Sequence, residues 1–349
     1  MIEVKLLTPD LEAEWDDYVK QHPLASAYHL TAWKKAVEFG YGHTCFYWLA
    51  LRDNKIVGVL PTAWMKNWLS KGSLCALPFC DLGGVIADDE DTKVSLVNQA
   101  LVFINQKGIN RFDNRASLSK DIPLAGEYEV APKVRMLMPF PETSAELLAS
   151  FKSKLRSQIN KAKKNGLTAE VGRDQAFLDG FYQVFTRNMR DLGSPVHSKK
   201  WFEQILHAYG DNAIIANVYA EGKVVGAGIV LFCGDKACIP WASTNADYNR
   251  LAPNMLLYWT LLEFSNDRGC KEFDFGRSTL GEGTYRFKSQ WGAKPSLLDW
   301  KSFQADGQVI EEKPGQKGKA RELVEQTWRK LPVGLSEFLG PKIRKHISL

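Results

Sequence analysis

The sequence predicts a mixed α/β fold in which one module occurs twice. Residues 46–65 and 213–232 each consist of an apolar run, a short polar turn and a second apolar run, which is the pattern of an antiparallel hairpin. Residues 99–118 and 260–280 each contain an amphipathic helical stretch that stops at a glycine and leads into a short strand. Because the same elements follow in the same order, the sequence indicates an internal structural repeat.

Both short strands contain the pair Phe-Asp, and the two aspartates are Asp113 and Asp274. A hairpin, a central strand, a helix and another strand, in that order, make up the module of the GNAT acyltransferases. We therefore predict an α+β protein with two tandem GNAT-like domains, in which helices flank mixed sheets. The predicted ranges are 1–145 for the first domain, 146–305 for the second and 306–349 for a basic amphipathic tail.

Positive charge is concentrated in two elements. The chain of 349 residues has 45 Lys and Arg against 40 Asp and Glu, a net charge of +5. Residues 151–164 carry +6 and residues 301–349 carry +4, so the rest of the chain sums to −5. A slightly acidic body with two basic elements argues against duplex DNA as a partner and favours substrates that carry phosphate.

The location of the protein is predicted from its apolar runs and its cysteines. The first residues contain charges at Glu3, Lys5, Asp10 and Glu12, which leave no apolar core for a signal peptide. No uncharged apolar run approaches the roughly 18 residues of a membrane-spanning helix. Six cysteines in such a chain indicate reduced thiols, so we expect a cytoplasmic protein.

Two C-x4-C pairs raise the question of a metal site. Cys75 pairs in this way with Cys80, and Cys233 with Cys238. Both pairs lie in apolar, strand-like stretches without a neighbouring histidine, so buried thiols are favoured over zinc ligands. We predict no metal site.

The chemistry that the sequence allows is narrow. It lacks the G-x-S-x-G motif of serine hydrolases, the G-x-x-x-x-G-K-[ST] loop of nucleotide-binding proteins and the H-E-x-x-H motif of zinc proteases. A GNAT enzyme needs only to align an amine with an activated carbonyl, remove a proton and stabilise an oxyanion. Its glycine-rich turn for coenzyme A would fall at residues 249–253, which keep Asn249 and Arg250 but have Leu-Ala-Pro instead of glycines. Since proline has no N–H to donate, coenzyme A is a disfavoured donor that stays an alternative.

The densest group of unusual residues is the segment 275–292, FGRSTLGEGTYRFKSQWG. Gly276, Gly281 and Gly283 stand among cations and aromatic residues, which suits an anionic ligand or a developing oxyanion. A bulged loop with cation–π stacking is the alternative. The cations and rings of this segment are Arg277, Arg286, Lys288, Tyr285, Phe287 and Trp291.

The basic segment SKLRSQINKAKKNG predicts a helix. Leu155, Ile159 and Ala162 recur at helical spacing, and Gly166 provides a stop. The cations could hold the phosphates of a nucleotide, a lipid carrier or tRNA, and a solvated helix face is the alternative. The phosphate-binding residues that we predict here are Lys161, Lys163 and Lys164.

The terminal sequence GLSEFLGPKIRKHISL mixes apolar residues with cations. A basic amphipathic segment can lie on an anionic membrane surface, so residues 306–349 are a candidate for peripheral membrane contact. A tail that packs on the body with its charges solvated is the alternative.

Seven motifs along the chain are distinctive: WDDYVKQHPLASAYHLTAW, GVLP, LPFCDLGG, FKSKLRSQINKAKKNG, RNMRDLGSPVHSKKWF, FDFGRS and TYRFKSQWGAKP. Together they resemble the FemAB/FemX family of peptidoglycan-bridge aminoacyltransferases, which consist of two fused GNAT-like domains. The sequence is similar in particular to the FemAB-related proteins of exosortase/PEP-CTERM systems, and the resemblance extends over nearly the whole chain. It implies a transferase that acts on a cell-envelope or exopolysaccharide precursor.

The resemblance also implies roles for individual residues. Lys288, in YRFKSQW, matches the active-site lysine of the family, which stabilises the transferring carbonyl or a substrate phosphate. Asp113, in RFDNR, matches an acidic residue of the substrate cleft, and Lys35 matches a basic residue that contacts substrate phosphate.

Three further positions match substrate-binding positions of the family with a different side chain. His197 stands where the family has a phosphate-contacting arginine, and Trp201 and Trp241 stand where it has tyrosines. We expect all three to line the substrate site.

The first hypothesis is an N-acyl- or aminoacyltransferase that forms an amide on a lipid-linked sugar or peptide, in a cleft between the two domains. Lys288 would polarise the carbonyl and Asp113 would position the amine. No resident cofactor is predicted, and acyl-CoA or aminoacyl-tRNA is the donor. The alternatives are an acyl-CoA-dependent N-acyltransferase that uses Asn249 and Arg250, and a non-catalytic module that binds membrane surfaces. The residues predicted to bind substrate are Lys35, His197, Trp201, Trp241, Arg277, Tyr285, Arg286 and Trp291.

Overall fold

A computed structural model shows two compact units, each described here by itself. The residues that the structure describes are 1–66, 71–118, 131–310 and 319–349. The first unit consists of Met1–Val134, Ser296–Gly315 and Lys345–Leu349. The second unit consists of Arg135–Pro295 and Gln316–Arg344.

Thirteen strands and eleven α-helices occur in the described ranges. The strands are β1 (Glu3–Leu6), β2 (Thr44–Arg52), β3 (Lys55–Met65), β4 (Ser73–Cys75), β5 (Ile86–Ala87), β6 (Arg111–Ser117), β7 (Lys133–Pro139), β8 (Thr168–Gly172), β9 (Ala213–Ala220), β10 (Lys223–Cys233), β11 (Lys236–Thr244), β12 (Glu272–Thr279) and β13 (Lys294–Gln304). The helices are α1 (Glu12–Gln21), α2 (Thr31–Tyr41), α3 (Glu90–Lys107), α4 (Ser144–Ser150), α5 (Ser153–Lys164), α6 (Gln175–Leu192), α7 (Lys199–Tyr209), α8 (Pro253–Asp267), α9 (Gly283–Gln290), α10 (Lys319–Arg329) and α11 (Val333–Arg344).

The sheet of the first unit contains the first predicted hairpin. β2 and β3 are joined by Asp53 and Asn54, whose φ angles of 50° and 59° give the left-handed turn that matches the twist of a hairpin. The strand order is β1-β2-β3-β4-β6-β13, with β5 paired to β3. β4 runs parallel to β6, which places Cys75 opposite Asp113, and β13 runs antiparallel to β6, which places Ser302 opposite the same aspartate.

Helix α3 closes one face of this sheet. Asp89 caps its first turn, and Gly108, with φ of 62°, ends it in the left-handed conformation. Leu96 and Ile104 recur at helical spacing and belong to the same buried cluster as Phe112 of β6. The amphipathic stretch and the glycine stop predicted from the sequence are therefore both present.

The second unit repeats this arrangement. β9 and β10 form the second predicted hairpin, and its turn residues Glu221 and Gly222 have φ angles of 50° and 75°. The strand order is β8-β9-β10-β11-β12-β7. β11 runs parallel to β12 and places Cys238 opposite Asp274, as Cys75 lies opposite Asp113 in the first unit. The two units share their strand order, so the predicted internal repeat is confirmed.

The sixth strand of each sheet explains where the units differ from the predicted ranges 1–145 and 146–305. β7 precedes the basic helix in the chain and belongs mainly to the second unit, whereas β13 follows β12 and belongs mainly to the first. Hydrophobic pattern reveals a strand but does not reveal which sheet it joins, so this exchange was not visible in the sequence.

The predicted tail, 306–349, is divided between the units. Helices α10 and α11 belong to the second unit and pack on α6, and residues 345–349 belong to the first. Residues 311–318 of the predicted tail lie outside the described residues. In the described part, the tail is thus packed on the body.

The predicted basic helix is present as α5. Leu155, Ile159 and Ala162 are buried, and all six cations of residues 152–164 are exposed. None of the helices in the described ranges is long and apolar enough to cross a membrane.

Candidate functional site

The carboxyl ends of β11 and β12 lie at the same edge of the second sheet, because the two strands are parallel. Their pairing covers Lys236–Cys238 and Glu272–Asp274. Beyond this pairing, β11 has one extra residue between Cys238 and Trp241, where its register with β10 shifts. A bulge of this kind bends a strand and redirects its side chains. The segment 275–292 starts at this edge.

Lys288 holds the end of β12. It lies on α9 and is only 8% exposed. Its Nζ donates hydrogen bonds to the carbonyl oxygens of Arg277, at 2.8 Å, and Gly276, at 3.1 Å. Gly276 has a φ of 75°, a conformation that glycine adopts readily, and this turn aims its carbonyl at the ammonium. The structure therefore fixes a buried cation at the strand edge.

A buried ion pair stabilises the turn at Gly276. Asp274 accepts hydrogen bonds from the guanidinium of Arg135, on β7, at 2.9 Å. The side chains are 4% and 6% exposed, so both charges are removed from water and depend on each other. The other carboxylate oxygen of Asp274 accepts a hydrogen bond from the N–H of Gly276 at 2.8 Å. Arg135, Asp274 and the turn that binds Lys288 therefore form one connected network.

Three buried polar atoms near Lys288 in the chain have no hydrogen-bond partner among the described residues. They are the hydroxyls of Ser278 and Ser289 and the indole N–H of Trp291. A buried polar group without a partner is unfavourable by about 1–3 kcal/mol, and native proteins rarely keep several together. We therefore regard these groups as candidate hydrogen-bonding groups for a ligand of this segment.

The other predicted residues of this segment have different surroundings. Arg277 and Tyr285 are half-buried and Arg286 is exposed. Trp291 is fully buried, with its ring centroid 5.6 Å from that of Phe151. Its ring is part of the core, so the indole N–H is the one part of Trp291 suited to contact with a ligand.

His197, Trp201 and Trp241 lie in the core of the second unit. They are 2%, 0% and 8% exposed, and the rings of His197 and Trp201 stack at 5.6 Å. Burial lowers the pKa of His197 well below its usual value of 6.5, and the charge of Arg344 acts in the same direction. A neutral, buried imidazole offers no charge to a phosphate, so their surroundings do not favour the substrate contact expected of these three residues.

The predicted phosphate-binding residues of the second unit are brought together. α5 packs on α8, and the side-chain amide of Asn165, at the end of α5, donates to the carbonyl of Leu251 at 3.3 Å. Lys161, Lys163 and Lys164 and the turn residues Asn249 and Arg250 are all exposed. The N–H of Ala252 donates to the carbonyl of Asn249, and residue 253 is a proline, so neither position offers an N–H to a ligand.

In the first unit, Asp113 lines a cavity of about 340 Å³. Its carboxylate accepts hydrogen bonds from the guanidinium of Arg111 and, at 2.7 Å, from the hydroxyl of Ser302. Arg115, Trp300 and other residues complete the lining. The cavity combines one carboxylate with cations and an indole ring.

The motif LPFCDLGG packs on the end of β6. The N–H groups of Gly83 and Gly84 donate to the carbonyl of Arg115 at 3.1 and 2.8 Å. A Cβ on Gly84 would lie 2.4 Å from the backbone nitrogen of Ala116, so a side chain does not fit there. The guanidinium of Arg115 in turn donates to carbonyls, among them those of Leu77 and Ser348. This motif therefore builds the first unit and uses its glycine amides internally.

Lys35 lies on α2 and is 45% exposed at its side chain. Its Nζ forms an ion pair with Glu12 at 2.7 Å. An exposed pair of this kind is weak, so the lysine can exchange its partner for a phosphate.

Sequence reasoning missed Arg135, Ser278 and Ser302. Arg135 had a detectable signal, since it is a charged residue inside the apolar strand KVRMLMP, where an unpaired charge would be unfavourable. Ser278 and Ser302 had none, because a serine in a strand is ordinary.

The sequence and fold of the chain were compared with those of known proteins. Residues 149–289 match the model of the family described as acetyltransferase (GNAT) domain. The crystal structure of FemX superposes with a TM-score of 0.66 at 17% identity, covering 84% of this chain and 95% of FemX. A tandem GNAT protein from the clavulanic acid biosynthesis pathway gives a TM-score of 0.55 at 10% identity, covering 87% and 99% of the two chains. The chain has the GNAT acyltransferase fold.

The curated relatives that the chain matches are named lipid II:glycine glycyltransferases. The protein of that name from Staphylococcus saprophyticus is 20% identical, over 79% of this chain and 87% of the relative. The one from Staphylococcus epidermidis is 21% identical, over 58% of this chain and 64% of the relative. These matches support the predicted relationship to FemX-like aminoacyltransferases.

Proposed function

We propose that this GNAT-fold protein transfers an aminoacyl or acyl group to an amine of a lipid-linked cell-envelope precursor. The observation that carries the proposal is the buried ammonium of Lys288, fixed on the carbonyls of Gly276 and Arg277. The names of the curated relatives supply the acceptor class, lipid II. Precursors of exopolysaccharides, of the kind associated with exosortase/PEP-CTERM systems, are a second acceptor class for the same chemistry.

In the reaction, the acceptor nitrogen attacks the carbonyl carbon of the donor and a C–N bond forms. The carbonyl oxygen gains negative charge, which Lys288 stabilises by electrostatic attraction and hydrogen bonding. The intermediate then collapses, the ester or thioester bond breaks, and the proton lost by the nitrogen neutralises the leaving oxygen or sulfur. Ser278, whose buried hydroxyl lacks a partner among the described residues, is proposed to donate to the same ligand.

The turn at residues 249–253 and helix α5 support the choice of donor that we propose. Positions 252 and 253 of this turn offer no N–H to a pyrophosphate, because the amide of Ala252 donates to Asn249 and residue 253 is a proline. The exposed cations Lys161, Lys163 and Lys164 next to it suit a longer phosphate backbone. We therefore favour aminoacyl-tRNA over acyl-CoA.

Asp113 is proposed to bind the acceptor in the first unit. Its carboxylate suits an amine or ammonium, and the cations and indole around its cavity suit the remainder of an anionic precursor. Lys35 would contribute a phosphate contact.

The test measures amide formation by mass spectrometry with lipid II as acceptor and glycyl-tRNA or acetyl-CoA as donor. Lys288→Met is expected to lower the rate by about 10²–10³-fold, the usual loss on removal of one oxyanion donor. Lys294→Met, an exposed lysine outside the site, is the matched control. Wild-type activity in Lys288→Met would refute the assignment, and transfer from acetyl-CoA alone would favour the alternative donor.

A further inference from the structure

Helix α11 is anchored to the second unit by small residues along one side. Ser336 is 1% exposed, and Gly340 is buried. A Cβ on Gly340 would lie 2.8 Å from the backbone nitrogen of Val196, so the helix approaches that backbone as closely as glycine allows. The orientation of α11 on its unit is therefore fixed, and the residues on its opposite side are held outward.

The outward side carries what we name the α11 stripe: Leu335, Phe338 and Lys342. These residues follow each other at intervals of three and four, which places them on one face of the helix. Leu335 is 42% exposed and Phe338 is 62% exposed. The ammonium of Lys342 lies 3.8 Å from the centroid of the Phe338 ring. The stripe thus places an aromatic ring and a cation side by side at the surface.

Helix α10 also has exposed apolar residues, and the C-terminal residues also carry cations. Leu323 and Val324 of the neighbouring helix in the chain, α10, are 65% and 62% exposed. Residues 333–349 contain three Lys or Arg and one acid, Glu337, so this part of the chain is positively charged. Exposed apolar side chains with cations close by match a surface that offers acyl chains beneath anionic head groups.

We propose that the α11 stripe docks on an anionic phospholipid bilayer. A long cationic side chain can lie along the apolar boundary and keep its ammonium among phosphates, while the ring beside it enters the acyl region. The stripe lies on the outer face of a packed helix, a shape suited to a broad surface. The inference deepens the proposed function, because the precursor proposed there is lipid-linked and lies at such a surface.

The experiment uses the full chain and sediments it with vesicles of phosphatidylcholine, with and without phosphatidylglycerol. We expect binding to the vesicles that contain phosphatidylglycerol and loss of binding at high salt, since exposed charges are screened. The double variant Leu335→Ser/Phe338→Ser and the single variant Lys342→Glu should each weaken binding by about tenfold or more. Phe39→Ser is the matched control, because Phe39 is 64% exposed in the first unit and carries no part of the stripe.

Equal vesicle binding by the stripe variants and the wild type would overturn the proposal. Wild-type binding that does not depend on phosphatidylglycerol, or no vesicle binding by the wild type, would overturn it as well. Loss of a copurifying protein in the stripe variants, without a change in vesicle binding, would assign the stripe to a protein partner instead. An assay of transfer to a water-soluble acceptor distinguishes a failure of this proposal from a failure of the proposed function. The stripe variants should keep that activity, whereas Lys288→Met should lose it.

Discussion

Arg135 and Asp274 form an ion pair at 2.9 Å in which neither side chain is more than 6% exposed. The pair joins β7 to β12, and Asp274 also holds the turn whose carbonyls bind Lys288. The charged groups of Arg135 and Asp274 therefore hold two strands of the second unit together and also support its candidate site.

Asp274→Ala is expected to destabilise the protein by about 3–5 kcal/mol, because it leaves the guanidinium of Arg135 buried without its counter-charge. Asp247→Ala is the control, since Asp247 also pairs with an arginine, Arg187, at 2.7 Å, but is 62% exposed. Loss of that surface pair should change stability by less than about 1 kcal/mol. Urea unfolding measures both. Similar effects of the two variants would contradict the role given to the buried pair.

Stability should fall below pH 6.5 in part because of His197. Burial lowers its pKa well below 6.5 in the folded state, so between these values the unfolded chain binds a proton that the folded chain does not. The free energy of unfolding therefore decreases as the pH falls from 6.5 towards the folded pKa and is unaffected by this group above 6.5. His197→Phe should reduce the slope measured by denaturant titrations between about pH 6.5 and pH 5. An unchanged slope would show that other groups account for the acid sensitivity.

Gly84→Ala should destabilise the first unit, since the new Cβ would lie 2.4 Å from the backbone nitrogen of Ala116 and the backbone has to move. We expect a loss of about 1–3 kcal/mol, the usual effect of overpacking. Gly334→Ala, in α11, meets no atom within 4 Å and should stabilise its helix by up to about 1 kcal/mol. Thermal unfolding should give a lower melting temperature for Gly84→Ala than for the wild type, and a higher one for Gly334→Ala. An unchanged melting temperature in Gly84→Ala would show that the backbone around Gly84 moves without a loss of stability.

The thiols should react slowly in the folded protein. All six cysteines are buried, and burial raises the pKa of Cys75 and of Cys270 to about 11, so little thiolate forms at neutral pH. Alkylation followed by mass spectrometry should label them at neutral pH only after denaturant is added. Rapid labelling of the folded protein would show that their segments open readily.

Local patterns predicted the elements well. The polar turns of both hairpins and the spacing of Leu155 and Ile159 are local properties of the chain, and each is found as expected. The ion pair between Arg135 and Asp274 joins residues 139 apart, and no local pattern encodes such a partner. For His197 the family resemblance implies a substrate contact, and its burial in the core of the second unit is a tertiary property that no local pattern encodes.

Lys288 was predicted as a site residue through its motif, and the structure adds its hydrogen-bond partners, which the motif does not contain. Its two carbonyl partners depend on the positive φ of Gly276, which in turn depends on Asp274. Polar residues that complete a site by tertiary contact, such as Ser302 beside Asp113, have no sequence signature of their own.

The sixth strand of the first sheet, β13, comes late in the chain, and that of the second sheet, β7, comes before the basic helix. The chain is therefore hard to divide into two independent fragments. A fragment cut at residues 149–289, the limits of the GNAT family match, would contain Asp274 and Lys288 but not Arg135. A fragment cut after residue 145 would likewise contain Asp113 without Ser302. A deletion or recombination breakpoint between the halves therefore separates each aspartate from a partner, so we expect neither half to keep its polar network when it is expressed alone.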